Sequence, residues 1–173
     1  MNLDTALNFA LRATATKTVG GVSTGEDPFV INLVDTMLTG TTVDKANKSY
    51  HMRQTIGASA THNIYLYGVL RDPFGDYVNL SRVKCMVISL LNKSETLYEL
   101  YVGGHATRAW ESWVTTGSAG ARLRVRGGGI EFKWAPGVYG FAVRYTTDDA
   151  LRVVNATTNA VQYDVVFLGT SQA

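Results

Sequence analysis

The sequence is poor in the residue types that most catalytic and metal sites require. Cys85 is the only cysteine among 173 residues, so no internal disulfide and no thiolate metal site can form. His51, His62 and His105 are scattered without the spacing of metal ligands. The carboxylate pair Asp148-Asp149 falls in a predicted turn, where Asp is common for backbone reasons. We therefore expect no enzyme activity, no metal and no cofactor.

Charge is also scarce. Charged residues make up 17% of the chain, against about 25% in typical soluble domains, while hydrophobic residues make up 46%. So little charge suggests that part of the surface is covered by copies of the same chain or by a partner protein. The net charge of +2 is too small to indicate a nucleic-acid partner.

No membrane or secretion signal is expected. The first twelve residues, MNLDTALNFALR, lack a basic region and a long apolar core. No apolar run approaches the roughly 20 residues of a membrane-spanning helix.

Short runs of alternating residues predict strands throughout the chain. In the first 49 residues we expect a strand over 7–16, a loop over 19–28, a short strand over 29–34 and a loop over 38–49. A helix remains an alternative for the first run, because Asp4 could cap it and Leu7 and Leu11 lie four residues apart. The alternation is longer and Thr is frequent, so a strand is favoured.

From Tyr50 onward, strands are expected over 50–56, 64–70, 83–91, 97–102, 151–155 and 161–168. The run over 83–91 is apolar on both faces, which is typical of a central strand. These signals predict a single all-β domain, a jelly-roll-like β-sandwich. Residues 1–49 would form an N-terminal arm of strand and loops within it, and residues 50–173 its core.

The stretch from Arg122 to Tyr145 predicts three strands, over 122–126, 130–134 and 138–145. Tight turns at 127–129 and 135–137 would join them into an antiparallel meander. Alternation places these residues of the chain in the predicted core: Val87, Leu123, Val125, Phe132, Phe141, Val153 and Phe167.

Two groups of residues are candidate partner contacts. Arg122, Arg124 and Arg126 share one face of a predicted strand, either as an ordinary solvated face or as a basic stripe that docks on an acidic protein surface or on nucleic acid. Trp110 and Trp113 lie three residues apart. They are either core anchors or, if one is exposed, a contact hot spot.

Short motifs spread between Tyr50 and Gly169 also carry a family resemblance. They comprise YHMRQT (50–55), LYGVLRDPFG (66–75), Val83-Lys84, VGG (102–104), Trp110, Trp113, the triple glycine 127–129, Ala135-Pro136, GFAV (140–143), LRVVN (151–155) and YDVV (163–166). In this order they resemble a family of small virion proteins of tailed bacteriophages and prophages. A proline usually precedes the double glycine in that family, and Arg126 stands there in this chain.

The resemblance implies a jelly-roll-like sandwich that assembles, often as a homotrimer, on the outside of a phage particle. It implies a capsid decoration (cement) protein bound to the major capsid protein, so the expected location is the virion. A tail-fibre adaptor, a carbohydrate- or receptor-binding module, and a sugar-processing enzyme with two nearby carboxylates remain alternatives. Other tail or virion proteins are possible partners, and neither a membrane nor nucleic acid is expected.

Overall fold

The computed structural model describes residues 5–19, 22–72, 74–114 and 122–171, of which residues 5–36 are described by their backbone alone. Within those ranges the chain forms strands and turns but no helix. The strands are β1 (Thr5–Val19), β2 (Val22–Thr39), β3 (Lys45–Ala46), β4 (Lys48–Ile56), β5 (Thr61–Tyr65), β6 (Arg82–Leu90), β7 (Glu99–Gly103), β8 (Arg122–Arg126), β9 (Ile130–Trp134), β10 (Phe141–Ala142), β11 (Ala150–Asn155) and β12 (Val161–Thr170). The expected all-β class is therefore confirmed.

Two antiparallel sheets form a β-sandwich. One sheet has the order β10-β6-β12-β4, with β9 also paired to β6, and the other has the order β5-β11-β7-β8. Strand β6 has neighbours on both sides, so the prediction of a central strand over 83–91 is confirmed. One cluster of buried side chains joins the two sheets, with Ile88 and Phe167 from the first and Leu100 and Val153 from the second. The sandwich core thus lies between the sheets.

The predicted meander is wrong. Strand β8 pairs with β7 in one sheet, whereas β9 pairs with β6 in the other, so the triple glycine carries the chain across the sandwich. The amide of Gly127 donates to the Tyr98 carbonyl at 2.9 Å, and that of Gly128 donates to the Leu90 carbonyl at 3.1 Å. A Cβ on Gly127 would lie 2.4 Å from the Ser94 carbonyl oxygen, so only glycine fits this corner. Of the third predicted strand, over 138–145, only the two residues of β10 form a strand.

The alternation in β9 is real, but its apolar side chains do not enter the central core. Phe132 lies opposite Val87, and both pack with Trp134 and Leu168 in a second cluster on the outer face of the sheet. The prediction that Phe132 and Val87 lie in the central core is therefore wrong. Val125, Val153 and Phe167 are buried in the main core, and Leu123 and Phe141 pack against its border half-buried.

Strands β1 and β2 form a long antiparallel hairpin, called the ribbon below. Their register runs from Thr5 opposite Met37 to Val19 opposite Val22. The strand expected over 7–16 is confirmed, but the loop expected over 19–28 is wrong from Val22 onward, because those residues pair with β1. Gly20 and Gly21 lie outside the described residues. The loop expected over 38–49 is confined to 40–44, with β3 and the start of β4 following it.

A buried lysine ties the base of the ribbon to the sandwich. Lys84 is the extra residue where the register of β6 with β12 shifts, and it has no exposed surface. Its ammonium donates to the Thr42 carbonyl and, at 3.3 Å, to the Pro136 carbonyl. Burial lowers the pKa of Lys84, while nearby Asp44 partly offsets this effect.

Candidate functional site

Three long connections meet at one end of the sandwich, and we call the described residues 66–81, 104–114 and 135–149 the loop end. Backbone hydrogen bonds join all three. Leu66 donates to the Asp149 carbonyl at 2.8 Å, Val143 to the Ser81 carbonyl at 2.9 Å, and Ala150 to the Arg108 carbonyl at 2.8 Å. The opposite end has short turns around 57–60, 91–98, 127–129 and 156–160. The loop end is therefore the more elaborate and the larger end.

A buried ion pair organises the loop end. The Asp149 carboxylate has no exposed surface and accepts a hydrogen bond at 2.7 Å from Nε of Arg108, which also donates through a terminal nitrogen. Hydrogen bonding to Asp149 raises the pKa of Arg108 above its ordinary value. The amide of Thr146 donates to the same carboxylate at 3.2 Å. The pair thus fixes two loops relative to each other.

Two tryptophans close the core beneath the loop end. Trp110 is fully buried and Trp113 is 5% exposed. The indole N–H of Trp110 donates to the Ala142 carbonyl at 2.8 Å, and that of Trp113 donates to the Trp110 carbonyl at 2.7 Å. The Trp110 ring meets Phe167 edge-on at 6.2 Å. Both tryptophans are therefore core anchors and not contact hot spots. The prediction that Trp110 contacts a partner is wrong, because its side chain has no exposed surface.

Above the two tryptophans, the loop end exposes aromatic side chains, and arginines lie beside some of them. Phe74 is 78% exposed, Tyr139 79% and Tyr145 60%. The Arg71 guanidinium lies 3.6 Å from the centre of the Tyr77 ring. Arg82 donates to the Tyr139 carbonyl at 2.9 Å. Because Arg71 packs on it, the Tyr77 ring presents apolar surface at a low cost in side-chain entropy.

Two neighbouring hollows of the loop end share the side chains of Tyr67 and Tyr145. A hollow of about 710 Å³ is lined by Tyr67, Arg82, Val138 and Tyr145, among others. Tyr67 and Tyr145, whose ring centres are 4.7 Å apart, also line the next hollow, of about 220 Å³, together with Tyr65 and Arg108. These tyrosines, with Arg82 and Arg108 beside them, therefore form one aromatic surface at the loop end.

The predicted arginine stripe lies elsewhere, on the edge strand β8. Arg122, Arg124 and Arg126 are all exposed, and the intervening Leu123 and Val125 face the core as alternation requires. Arg124 is paired with Glu99 through an Nε to Oε2 hydrogen bond of 2.6 Å. Although partial burial opposes it, hydrogen bonds from Tyr101 and Arg124 lower the pKa of Glu99. The middle of the stripe is thus neutralised within the chain.

The adjacent carboxylates singled out in the sequence are held by different cations. Asp149 binds Arg108, and Asp148 lies 3.5 Å from Arg144, four residues earlier. Among the described residues, no three His, Cys, Asp or Glu side chains are grouped as a metal site would require. In the same ranges, no helix has the length and hydropathy needed to span a membrane.

Sequence reasoning missed the loop end as a candidate site. Its residues lie in three separate segments, and the Arg108–Asp149 pair is separated by 41 positions. The only local signals were the density of Tyr between 65 and 77 and the aromatic residues of 138–145. Comparisons of the chain with protein-family models, with curated proteins and with solved structures found no match.

Proposed function

We propose that this chain is a non-catalytic structural protein of a tailed-phage virion. It is a homo-oligomeric decoration protein that binds the outer surface of the major capsid shell through its loop end. The motif order between Tyr50 and Gly169 supports the phage assignment. The strand order supports the jelly-roll-like expectation: successive strands mostly alternate between the two sheets, and β4, the first strand of the sandwich, lies beside β12, the last.

The loop end carries the proposal. Tyr and Arg are the residue types enriched in protein–protein interfaces, and here Tyr77, Tyr139 and Tyr145 are exposed, with Arg71 packed on the Tyr77 ring. A decoration protein works by area, because many copies each bury apolar surface across the seams of a shell. An exposed aromatic surface suits that task, since each ring buries a large apolar area on binding.

The test measures occupancy on particles assembled without this protein. Tyr139→Ala with Tyr145→Ala removes two exposed rings of the loop end, and we expect it to weaken particle binding at least about tenfold. Leu97→Ala is the matched control, because Leu97 is 52% exposed but lies in the turns at the opposite end. A second variant replaces Arg122, Arg124 and Arg126 together by Gln. Its particle occupancy, measured over a salt series, tests whether the stripe contacts the particle.

The possible results separate the two surfaces. If the double tyrosine variant binds like the parent while the triple arginine variant binds weakly, the stripe is the contact and the loop end is not. Binding of the parent to tails rather than to capsids contradicts the decoration role and supports a tail-fibre adaptor.

One observation favours a second function, carbohydrate binding. Tyr65, Tyr67 and Tyr145 line the hollow of about 220 Å³ beside Arg108, and tyrosine faces and hydroxyls suit sugar rings. Titration of soluble cell-surface polysaccharide into the purified chain would raise the melting temperature if this role holds. Tyr67→Ala should abolish that rise.

A further inference from the structure

The hollow of about 710 Å³, called the larger hollow below, has a lining that the proposed particle contact does not explain. It lies between the loop end and the end of β12, and its volume falls within the range of about 300–1,000 Å³ typical of small-molecule sites. Two arginines, Arg82 and Arg144, line it together with hydroxyl side chains and the rings of Tyr67 and Tyr145. The larger hollow therefore has room for a small ligand, and its lining indicates the chemistry of that ligand.

Arg82 is positioned by the strands around it. It is the first residue of β6, and it lies opposite Ala142 of β10 on one side and Thr170 of β12 on the other. Its guanidinium donates to the Tyr139 carbonyl at 2.9 Å and lies 5.7 Å from the centre of the Tyr139 ring. A guanidinium carries five N–H donors, so this bond leaves several for a ligand. Arg82 is thus held beside the larger hollow with donors to spare.

Arg144 brings a second positive charge to the larger hollow. Its carboxylate partner, Asp148, lies 3.5 Å away, and the Arg144 side chain is 75% exposed, so this ion pair is weak. Among the residues that the structure describes, no carboxylate lines the larger hollow. The charge of the lining is therefore positive, which favours an anionic ligand.

The hydroxyl groups of the lining retain hydrogen-bonding capacity of both kinds. The Ser81 hydroxyl donates to the Thr170 carbonyl at 3.0 Å, so its oxygen can still accept a hydrogen bond. The Ser171 hydroxyl oxygen accepts from the Asn47 amide at 3.0 Å, so its proton can still be donated. A sugar hydroxyl is both a donor and an acceptor, and these two side chains complement it.

Tyr67 and Tyr145 give the larger hollow an aromatic wall. Their ring centres are 4.7 Å apart, their planes are inclined by 38°, and Tyr145 is 60% exposed. Sugar rings have apolar C–H faces that pack on aromatic rings, while their hydroxyls meet the polar part of a site. An acidic peptide carries its carboxylates on flexible side chains without such a face. The aromatic wall therefore favours a sugar over a peptide.

We propose that the larger hollow binds an acidic saccharide, whose carboxylates pair with Arg82 and Arg144. The planar guanidinium fork matches a carboxylate, and hydrogen bonds between two charged groups are the stronger kind. Hydroxyls of the sugar bond to Ser81 and Ser171, and its ring faces pack on the two tyrosines. This site goes beyond the decoration role. It extends the carbohydrate binding proposed for the smaller hollow, on which it rests, by naming the class of sugar.

The test is calorimetric titration of trigalacturonate into the purified full-length chain, with the methyl ester of the same trisaccharide as the uncharged ligand. We expect the acid to bind at least about tenfold more tightly than the ester, because the ester loses the hydrogen bonds between charged groups. Arg82→Gln and Arg144→Gln should each weaken binding of the acid about tenfold and change binding of the ester less than about threefold. Arg122→Gln is the matched control, since Arg122 is exposed on β8 and lines neither hollow, and it should stay within about twofold of the parent.

Thermal unfolding of each variant without ligand keeps loss of folding apart from loss of binding, and the exposed Arg144 tests the site even if Arg82→Gln disturbs β6. Equal binding of acid and ester overturns the acidic class but leaves carbohydrate binding standing. No binding of either ligand, or binding of the acid that neither arginine variant weakens, overturns the site. A hexaglutamate peptide that binds as tightly as trigalacturonate overturns the choice of a sugar. Particle occupancy and the polysaccharide titration are separate measurements, so failure of the proposed functions leaves a different record.

Discussion

Arg108 binds the fully buried carboxylate of Asp149 across 41 positions of the chain, with Nε 2.7 Å from Oδ1. The same arginine lies over the Tyr65 ring, with its guanidinium carbon 5.0 Å from the ring centre. One side chain therefore joins the structural ion pair to the aromatic surface. The shape of the loop end depends on this contact.

Replacing Arg108 by Met should destabilise the protein by about 2–3 kcal/mol, because it leaves a buried carboxylate without its cation. This loss is smaller than for a fully buried ion pair, because the guanidinium is partly exposed and Thr146 still donates to Asp149. Urea denaturation measures the change. Arg144→Met, which breaks the exposed pair with Asp148, is the control and should cost less than about 0.5 kcal/mol.

Trp113→Ala should cost about 3–5 kcal/mol, since it empties a large site in the core and removes an indole hydrogen bond. Tyr139→Ala, at a ring that is 79% exposed, should change the free energy of unfolding by less than about 0.5 kcal/mol. Equal effects of the two substitutions in equilibrium denaturation would contradict the burial of Trp113.

Asn155→Asp should cost about 3 kcal/mol or more at neutral pH. The amide of Asn155 donates to the carbonyls of Gly57 and Asn159, each at 2.8 Å, and a carboxylate there would face those oxygens without a proton. The variant should regain stability as the pH falls, because protonation of the folded state restores a donor. Asn159→Asp, in the same turn but exposed, should have little effect.

The protein should lose stability as the pH falls from 7.5 to 5. Burial lowers the pKa of His62, whose Nδ1 lies 2.7 Å from the Tyr163 hydroxyl. Below about pH 6.5 the unfolded chain therefore binds more protons at this residue than the folded chain does, and the free energy of unfolding decreases. His62→Gln should flatten this dependence in denaturation series at several pH values. An unchanged slope would assign the effect to other groups.

The alternation of apolar and polar residues was enough to predict the all-β fold class and most of the strands after Tyr50, because it shows which face of each strand is buried. It cannot report which strands are neighbours. The segments 122–126 and 130–134 look like one hairpin in sequence, yet the buried Gly127 corner sends them into different sheets. The same limit placed Phe132 in the central core instead of on the outer face.

Two other features could not be predicted from any one segment of the sequence. The polar, Gly-containing segment after Val22 reads as a loop, but pairing with β1 along the whole ribbon makes it a strand. The loop end arises only when segments from three connections meet, so its aromatic residues could not be recognised as one surface. The arginine stripe, by contrast, lies within one strand, and its exposed face was predictable from five residues.

The position of β12 has a consequence for how the protein is made. The last strand of the sandwich lies between β4 and β6, pairing with both. During synthesis, the earlier strands emerge with a gap at the centre of their sheet and with apolar side chains open to solvent. That sheet can close only after residues 161–170 have left the ribosome, and its closure joins segments more than a hundred positions apart. Folding should therefore be late, slow and cooperative, and the nascent chain should need protection from aggregation until then.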